Sequence, residues 1–204
     1  MKKLINVAVL VSGGGPNLQA IIDYAAEGKL ESGKIVKVIS NKEGAYALER
    51  AANAEIETAV VKKKGRTQQE FETDLIKEID ACGAEVIVLA GFMCILSKDF
   101  TDRYQDRIIN VHPSLIPSFC GEGFYGLKVH EAALSYGVKV TGATVHFVNE
   151  IPDGGKIIMQ RAVKVKENDT PESLQKRVMQ EAEWKILPAS LELVCKKLLK
   201  GEEK

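Results

Sequence analysis

Val7-Ala8-Val9-Leu10-Val11-Ser12-Gly13-Gly14-Gly15-Pro16-Asn17-Leu18-Gln19-Ala20-Ile21-Ile22 is the stretch on which the fold turns. Val7–Val11 is an unbroken apolar run rich in β-branched residues, the composition of a strand buried on both faces. Three glycines follow, and then Leu18, Ile21, Ile22 and Ala25 fall at i, i+3, i+4 and i+7, the apolar stripe of a helix. Pro16 stands at the first helical turn, where a missing N–H is no loss. The order strand, glycine loop, helix opens an α/β fold. Exposed N–H groups in such a loop, together with the helix dipole, favour an anion. The dinucleotide spacing G-x-G-x-x-G is absent because position 18 is Leu18, and there is no Walker lysine.

Outward from this stretch the alternation continues. Strands are expected at Lys34–Ser40, Thr58–Val61, Val86–Ala90 and Ile108–His112, the last stopped by Pro113. Helices are expected at Ala45–Ala54 and around Phe71, Leu75, Ile76 and Ile79. Thr141–Val148 and Lys156–Val165 read as strands joined by the turn Pro152-Asp153-Gly154-Gly155, which makes them an antiparallel pair. A long helix from about Thr170 carries Leu174, Val178, Leu187, Leu191, Val194 and Leu198 on its apolar side, and Pro188 is expected to kink or split it. Residues 113 to 128 form a long turn-rich stretch, and residues 200–204 a frayed tail. The expected fold is α/β and doubly wound: a mainly parallel twisted sheet with helices on both faces and antiparallel C-terminal strands, in one domain over 1–204.

Composition narrows the function classes. Lys plus Arg and Asp plus Glu are both 28, so overall charge gives no footprint for nucleic acid or a membrane surface. The four cysteines form no CxxC or Cys/His zinc pattern and read as free thiols in a reducing compartment, with Cys82 and Cys195 on apolar helix faces. The apolar run Ile5–Val11 behind Met1-Lys2-Lys3 is too short for a secretory signal and leads into a glycine turn, so a cytoplasmic protein is expected.

Asn110 and His112 end a buried strand two residues apart, so alternation puts both side chains on one face. Burying such polar groups is costly unless they are hydrogen-bonded or used. In open α/β sheets ligands bind beyond the carboxyl ends of the strands. His146, inside a strand, reads as a satisfied structural histidine. Asp153 reads as a turn former unless the fold brings it to His112. The three histidines and scattered carboxylates do not make a metal site.

Taken together these stretches resemble the phosphoribosylglycinamide formyltransferases, the folate-dependent enzymes of purine synthesis. The resemblance runs nearly end to end: Val11 to Ile21, Leu89-Ala90-Gly91-Phe92-Met93-Cys94-Ile95-Leu96-Ser97, Asn110-Val111-His112-Pro113-Ser114-Leu115-Ile116-Pro117-Ser118-Phe119, Gly142 to Val148, and Asp153-Gly154-Gly155. The Asn-x-His-Pro-Ser-Leu-x-Pro signature is shared with other folate formyltransferases and the related deformylases.

The resemblance implies a catalytic set of Asn110, His112 and Asp153. Asn110 and protonated His112 would stabilise the oxyanion, and Asp153 would raise the His112 pKa or hold a relaying water. It implies phosphate binding by Gly15, Pro16 and Asn17, and a ribose contact from Glu183 in Glu183-Trp184-Lys185-Ile186-Leu187-Pro188. It implies a 10-formyltetrahydrofolate pocket from Gln68, Met93, Cys94, Ile95, Leu96, Asn110, Asn149, Glu150, Ile151 and Pro152, with small-molecule substrates, no metal, no nucleic acid or membrane partner, and a monomer or homodimer.

The chain departs from the family where Pro16 replaces the usual Ser or Thr, where Gln68 and Cys94 stand at positions often held by Arg, and where Trp184 replaces the usual His. A weaker hold on phosphate and on the folate tail is expected from the first two departures, with Lys64 or Arg66 as compensating cations. A methionyl-tRNA formyltransferase normally adds a C-terminal RNA-binding domain and a deformylase an N-terminal regulatory one, and neither is expected here. The remaining alternative, a non-catalytic nucleotide-binding module, leaves the Asn110/His112 pair unexplained.

Overall fold

In the computed structural model, which describes residues 3–201, the opening apolar run forms β1 (Ile5–Val11). Its side chains divide by parity: Val7, Val9 and Val11 join one apolar cluster, Leu10 a second. The glycine loop leads into α1 (Pro16–Ala26), with Pro16 in the first turn. There follow β2 (Gly33–Ser40), α2 (Tyr46–Asn53), β3 (Glu57–Val60), α3 (Gln68–Ala81), β4 (Val86–Leu89), α4 (Lys98–Arg103) and β5 (Ile108–His112). The C-terminal third contains α5 (Leu127–Tyr136), β6 (Val140–Phe147), β7 (Ile157–Lys164), α6 (Pro171–Val178), a π turn (Met179–Glu183) and α7 (Trp184–Leu199).

The seven strands form one sheet in the order β3-β2-β1-β4-β5-β6-β7. Pairings up to β4–β5 are parallel, and β5–β6 and β6–β7 are antiparallel. Helices cover both faces. Leu18 and Ile21 of α1, Leu174 and Val178 of α6, and Leu187, Leu191 and Cys195 of α7 fill one cluster; Phe71, Leu75 and Ile79 of α3 and Phe100 of α4 fill the other. This is the doubly wound sheet with antiparallel C-terminal strands that the alternation implies. Strand order reverses between β1 and β4, so the loops after these strands diverge and leave a crevice at their carboxyl ends.

Three details differ from expectation. Helix α7 passes through Pro188, and the interruption lies upstream, in the π turn Met179–Glu183. Pro188 lies in the second turn of α7, where its missing N–H forgoes a hydrogen bond to the Trp184 carbonyl; the wide turn ends at Glu183, immediately before that residue. Two helices, α4 and α5, occupy stretches to which the sequence pattern assigns no element, α5 starting just inside the turn-rich stretch. Cys195 is fully buried, but Cys82 caps α3 half-buried, its thiol against the Ile79 carbonyl. The tail expected at 200–204 lies mostly outside the described residues. Among the described residues no helix is long and apolar enough to cross a membrane.

Candidate functional site

Antiparallel pairing of β5 with β6 sets Asn110 opposite His146 and His112 opposite Thr144. Directly opposed side chains on one face are neighbours, and the Asn110 Nδ2 donates to His146 Nε2 at 3.2 Å. His146 Nδ1 lies 2.7 Å from the Phe147 carbonyl. A carbonyl only accepts, so Nδ1 carries the proton and Nε2 is left to receive the Asn110 amide. The site therefore takes in His146, which a reading of its strand alone makes structural.

Phe147 stands opposite Ile109, yet the turn beyond it doubles back along β5 to bring Asp153 to His112. Asp153 Oδ2 is 3.3 Å from His112 Nδ1 and Oδ1 is 3.5 Å from His146 Nε2. Oδ2 also accepts from the Gly121 N–H at 2.9 Å. Asn149 starts the turn by accepting from the Ile151 N–H at 3.1 Å, and Gly154 N–H closes on the Ile151 carbonyl at 2.9 Å. Asp153 itself has φ 56°, a conformation costing on the order of 1 kcal/mol for a residue with a side chain. At Gly155 an added Cβ would lie 1.7 Å from the Phe147 carbonyl oxygen, so only glycine allows the chain to pass there.

His112 is only 4% exposed. Burial pushes its pKa down, against the raising effects of Asp153 and of the Phe119 carbonyl, and His146 adds to the lowering; the balance falls below the ordinary histidine value. This corrects the expectation that Asp153 sets a raised value: Asp153 pushes upward, but desolvation is larger. For Asp153, burial raises the pKa but is outweighed by His146, the Gly121 N–H and the charge of His112, so the carboxyl lies below its usual range.

The cleft beside these residues is lined by Cys94, Ile95, Leu96, Asn110, Asn149, Glu150, Ile151, Pro152 and Asp153, together with Leu89, Phe92, His146 and Val148. Two residues expected in it have other work. Gln68 Nε2 donates to Glu72 at 2.6 Å and to the Ile95 carbonyl at 3.0 Å, and its oxygen accepts from Lys63. It braces the 91–97 loop instead of facing the cleft. Met93 is exposed, and its N–H donates to Ser12 Oγ at 2.8 Å, joining the loops after β4 and β1. Arg66 is held by Asp74 and the Glu70 carbonyl. Among the described residues no three His, Cys, Asp or Glu side chains gather as a metal site.

The glycine loop brings together its expected residues. Gly15, with φ 67°, caps α1, and a Cβ there would meet Ala47 Cβ at 2.6 Å. The first turn of α1 holds no acidic residue, leaving its N–H groups open to an anion. Asn17 Nδ2 donates to Glu183 Oε2 at 2.8 Å, while Asn17 Oδ1 is buried without a partner. Glu183 belongs to the π turn, a helical irregularity frequent at functional sites. Trp184, next to it, leaves its indole N–H buried and unpaired. A wider groove of about 450 Å³ runs along the outer face of α1 from Pro16 to Trp184. Neither Asn110 nor Asp153 lines it, while both line the narrower cleft, so the chemistry belongs there.

Burial raises the Glu183 pKa to about 7, with the Asn17 hydrogen bond only partly opposing. A raised folded-state pKa favours folding fully below the unfolded value, and that stability is lost as pH rises through the folded one. Glu183→Gln, which cannot ionise, is therefore expected to gain thermal stability over the parent between pH 5 and pH 8. A melting-temperature difference that does not change over this range would contradict the assignment.

Known proteins are similar to this chain over most of its length. The Formyl transferase family matches residues 5–191. The phosphoribosylglycinamide formyltransferase of Escherichia coli strain K12 is 41% identical over 185 residues, 90% of this chain and 84% of that protein. The human trifunctional purine biosynthetic protein adenosine-3 is 45% identical over 195 residues, 95% of this chain. The chain spans only 19% of that longer protein. Among solved structures, glycinamide ribonucleotide transformylase 1 from Symbiobacterium toebii superposes with a TM-score of 0.88 at 39% identity, covering 95% of this chain and 88% of that one.

Proposed function

The chain belongs to the formyl transferase family, among the phosphoribosylglycinamide formyltransferases, and from that premise we propose that it moves the formyl group of 10-formyltetrahydrofolate to the amine of glycinamide ribonucleotide. The observation that carries the reading is the meeting of Asn110, His146 and Asp153 at one cleft, with the buried His112 directly behind Asp153. The folate fits that cleft by the character of its lining: apolar Ile95, Leu96 and Ile151 for a flat ring, polar Asn110 and Asp153 at its inner end.

The amine attacks the formyl carbon, and negative charge develops on the formyl oxygen. An amide nitrogen carries two hydrogens; His146 takes one of those on Asn110, and the other is available to the oxyanion. His112, held largely neutral by burial, accepts the proton the amine must shed. Asp153 offsets the charge of the imidazolium so formed. The proton then passes to the folate nitrogen as its bond to the formyl carbon breaks. Glu183 and Asn17 face the ribose, and the phosphate lies at the N–H groups of the glycine loop and α1.

The direct test incubates the protein with 10-formyltetrahydrofolate and glycinamide ribonucleotide and follows formylated product, with the amine omitted in a second arm. Product in the first arm and no formate in the second is expected. Formate release at the same rate without amine would make the protein a hydrolase, and no product would remove the proposal. Pro16 gives the phosphate neither a hydroxyl nor an N–H. Pro16→Ser supplies both and is expected to lower the ribonucleotide KM about tenfold, the worth of one hydrogen bond to a charged group, roughly 1.5 kcal/mol. An unchanged KM would place the phosphate elsewhere.

A further inference from the structure

The hydroxyl of Thr144, fully buried opposite His112, has every hydrogen-bonding position filled. It donates to the Ser114 carbonyl at 2.7 Å and accepts from the Ile116 N–H at 3.1 Å and from Gln160 Nε2 at 3.0 Å. Gln160, reaching across from the edge strand β7, also donates to the Ile116 carbonyl at 3.0 Å. Within the loop, Ser114 Oγ donates to the Ser118 carbonyl at 2.5 Å and the Ser118 N–H to the Leu115 carbonyl at 3.0 Å. The segment after Pro113 is thus fastened to β6 and β7 by two side chains whose hydrogen bonds go to neither Asn110 nor Asp153 and which do not line the cleft.

What this segment delivers is a carbonyl. Phe119, at φ 49°, places its oxygen 2.8 Å from His112 Nε2. A carbonyl can only accept, so Nε2 bears the hydrogen. Two residues on, the Gly121 N–H holds the same Asp153 oxygen that faces His112 Nδ1. One loop therefore fixes both partners of the dyad.

We propose that Thr144 and Gln160 are positioning residues that select the His112 tautomer: they hold the Phe119 carbonyl on Nε2–H, and Nδ1 becomes the atom that exchanges the reaction's proton. This rests on the formyl-transfer reading above. In that step the new bond forms between the substrate amine and the formyl carbon, and the bond from the folate nitrogen to the formyl carbon breaks. The amine proton moves to Nδ1 and from Nδ1 to the departing nitrogen, and the Nε2 hydrogen stays in place throughout. The titratable groups facing His112 are Asp153 from the turn, His146 from β6 and His130 from α5, so no further acid or base is needed to define its proton state.

The test compares Gln160→Leu, Thr144→Val and Thr144→Ser in the full chain. Nitrogen NMR of labelled histidine reports which ring nitrogen of His112 carries hydrogen, independently of turnover. The parent is expected to show Nε2–H. Gln160→Leu and Thr144→Val are expected to show a tautomer mixture. Their kcat is expected to fall about 10- to 100-fold, the scale of a misplacement near 1 Å, with both KM values within about threefold. Thr144→Ser keeps the hydroxyl and restores the parent tautomer and kcat. Gln160 is exposed, so its variant folds and decides the matter if Thr144→Val does not. Nδ1–H in the parent, or an unchanged tautomer in Gln160→Leu whatever its kcat, overturns the proposal. Absence of formyl transfer by the parent defeats the functional reading alone, because the NMR comparison still stands.

Discussion

Replacing Asp153 by asparagine is expected to lower kcat for formyl transfer by about 10²- to 10⁴-fold, the range in which positioned acid–base groups contribute, while both substrates still bind. The substitution preserves shape. It removes the charge 3.3 Å from His112 Nδ1 and 3.5 Å from His146 Nε2, and so the stabilisation of the imidazolium. The pH dependence has a definite sign. Asp153 is the largest influence raising the His112 pKa, so its loss lets burial push that pKa still lower. A step that requires neutral His112 therefore keeps its rate to lower pH in the variant, and the acidic limb of its residual kcat profile moves down. Calorimetric affinities within about threefold of the parent, beside a kcat loss of that size, are the expected pair of results. A kcat within about fivefold would show that the carboxylate is not part of the machinery.

The second large effect is expected at a residue with no side chain. Gly155→Ala should destabilise the protein by about 3 kcal/mol or more. In a chain of this size that is a fall of roughly 6–12 °C in melting temperature. The reason is a backbone collision: the new methyl would lie 1.7 Å from the Phe147 oxygen, which no rotamer change relieves. That oxygen is the acceptor for His146 Nδ1–H, so a shift that makes room also loosens the ring that orients Asn110. Activity should fall with stability. Gly13→Ala is the control for stability, because its added methyl meets nothing within 4 Å. Equal melting temperatures for the two variants would mean that the turn yields easily.

The sheet was legible because its strands are so apolar. Runs such as Val7–Val11 and Val86–Leu89 are buried on both faces and have no other home in a chain of this composition. Helix α5 was hidden for local reasons. It is capped by Gly126 with no side-chain hydrogen bond, and one of its three buried positions is His130, so neither a cap nor an apolar stripe announced it. In the site, Asn110 and His112 followed from alternation along one strand. The meeting of His146 with Asn110, and of Asp153 with His112, depends on strand register and on how a turn doubles back, which spacing along the chain does not specify. The direction of the His112 shift needed burial as well as neighbours, and burial is a property of the assembled fold. Gln68 illustrates the same limit: the family resemblance put it at the cleft, but its amide is occupied by Glu72 and Ile95.

The π turn has a genetic corollary. A helix that winds through one wide turn carries one residue more than an uninterrupted α-helix needs. Deleting a single codon between 179 and 182 would let α6 and α7 close into an ordinary helix and cost little folding energy. A wide turn absorbs its extra residue by winding less per residue, so after the deletion α7 would keep its apolar face on the sheet and Glu183, at the join, would keep facing Asn17. The same one-codon loss placed at 183 would close the helix equally well but remove the carboxylate that meets Asn17, so architecture and contact come apart at neighbouring codons.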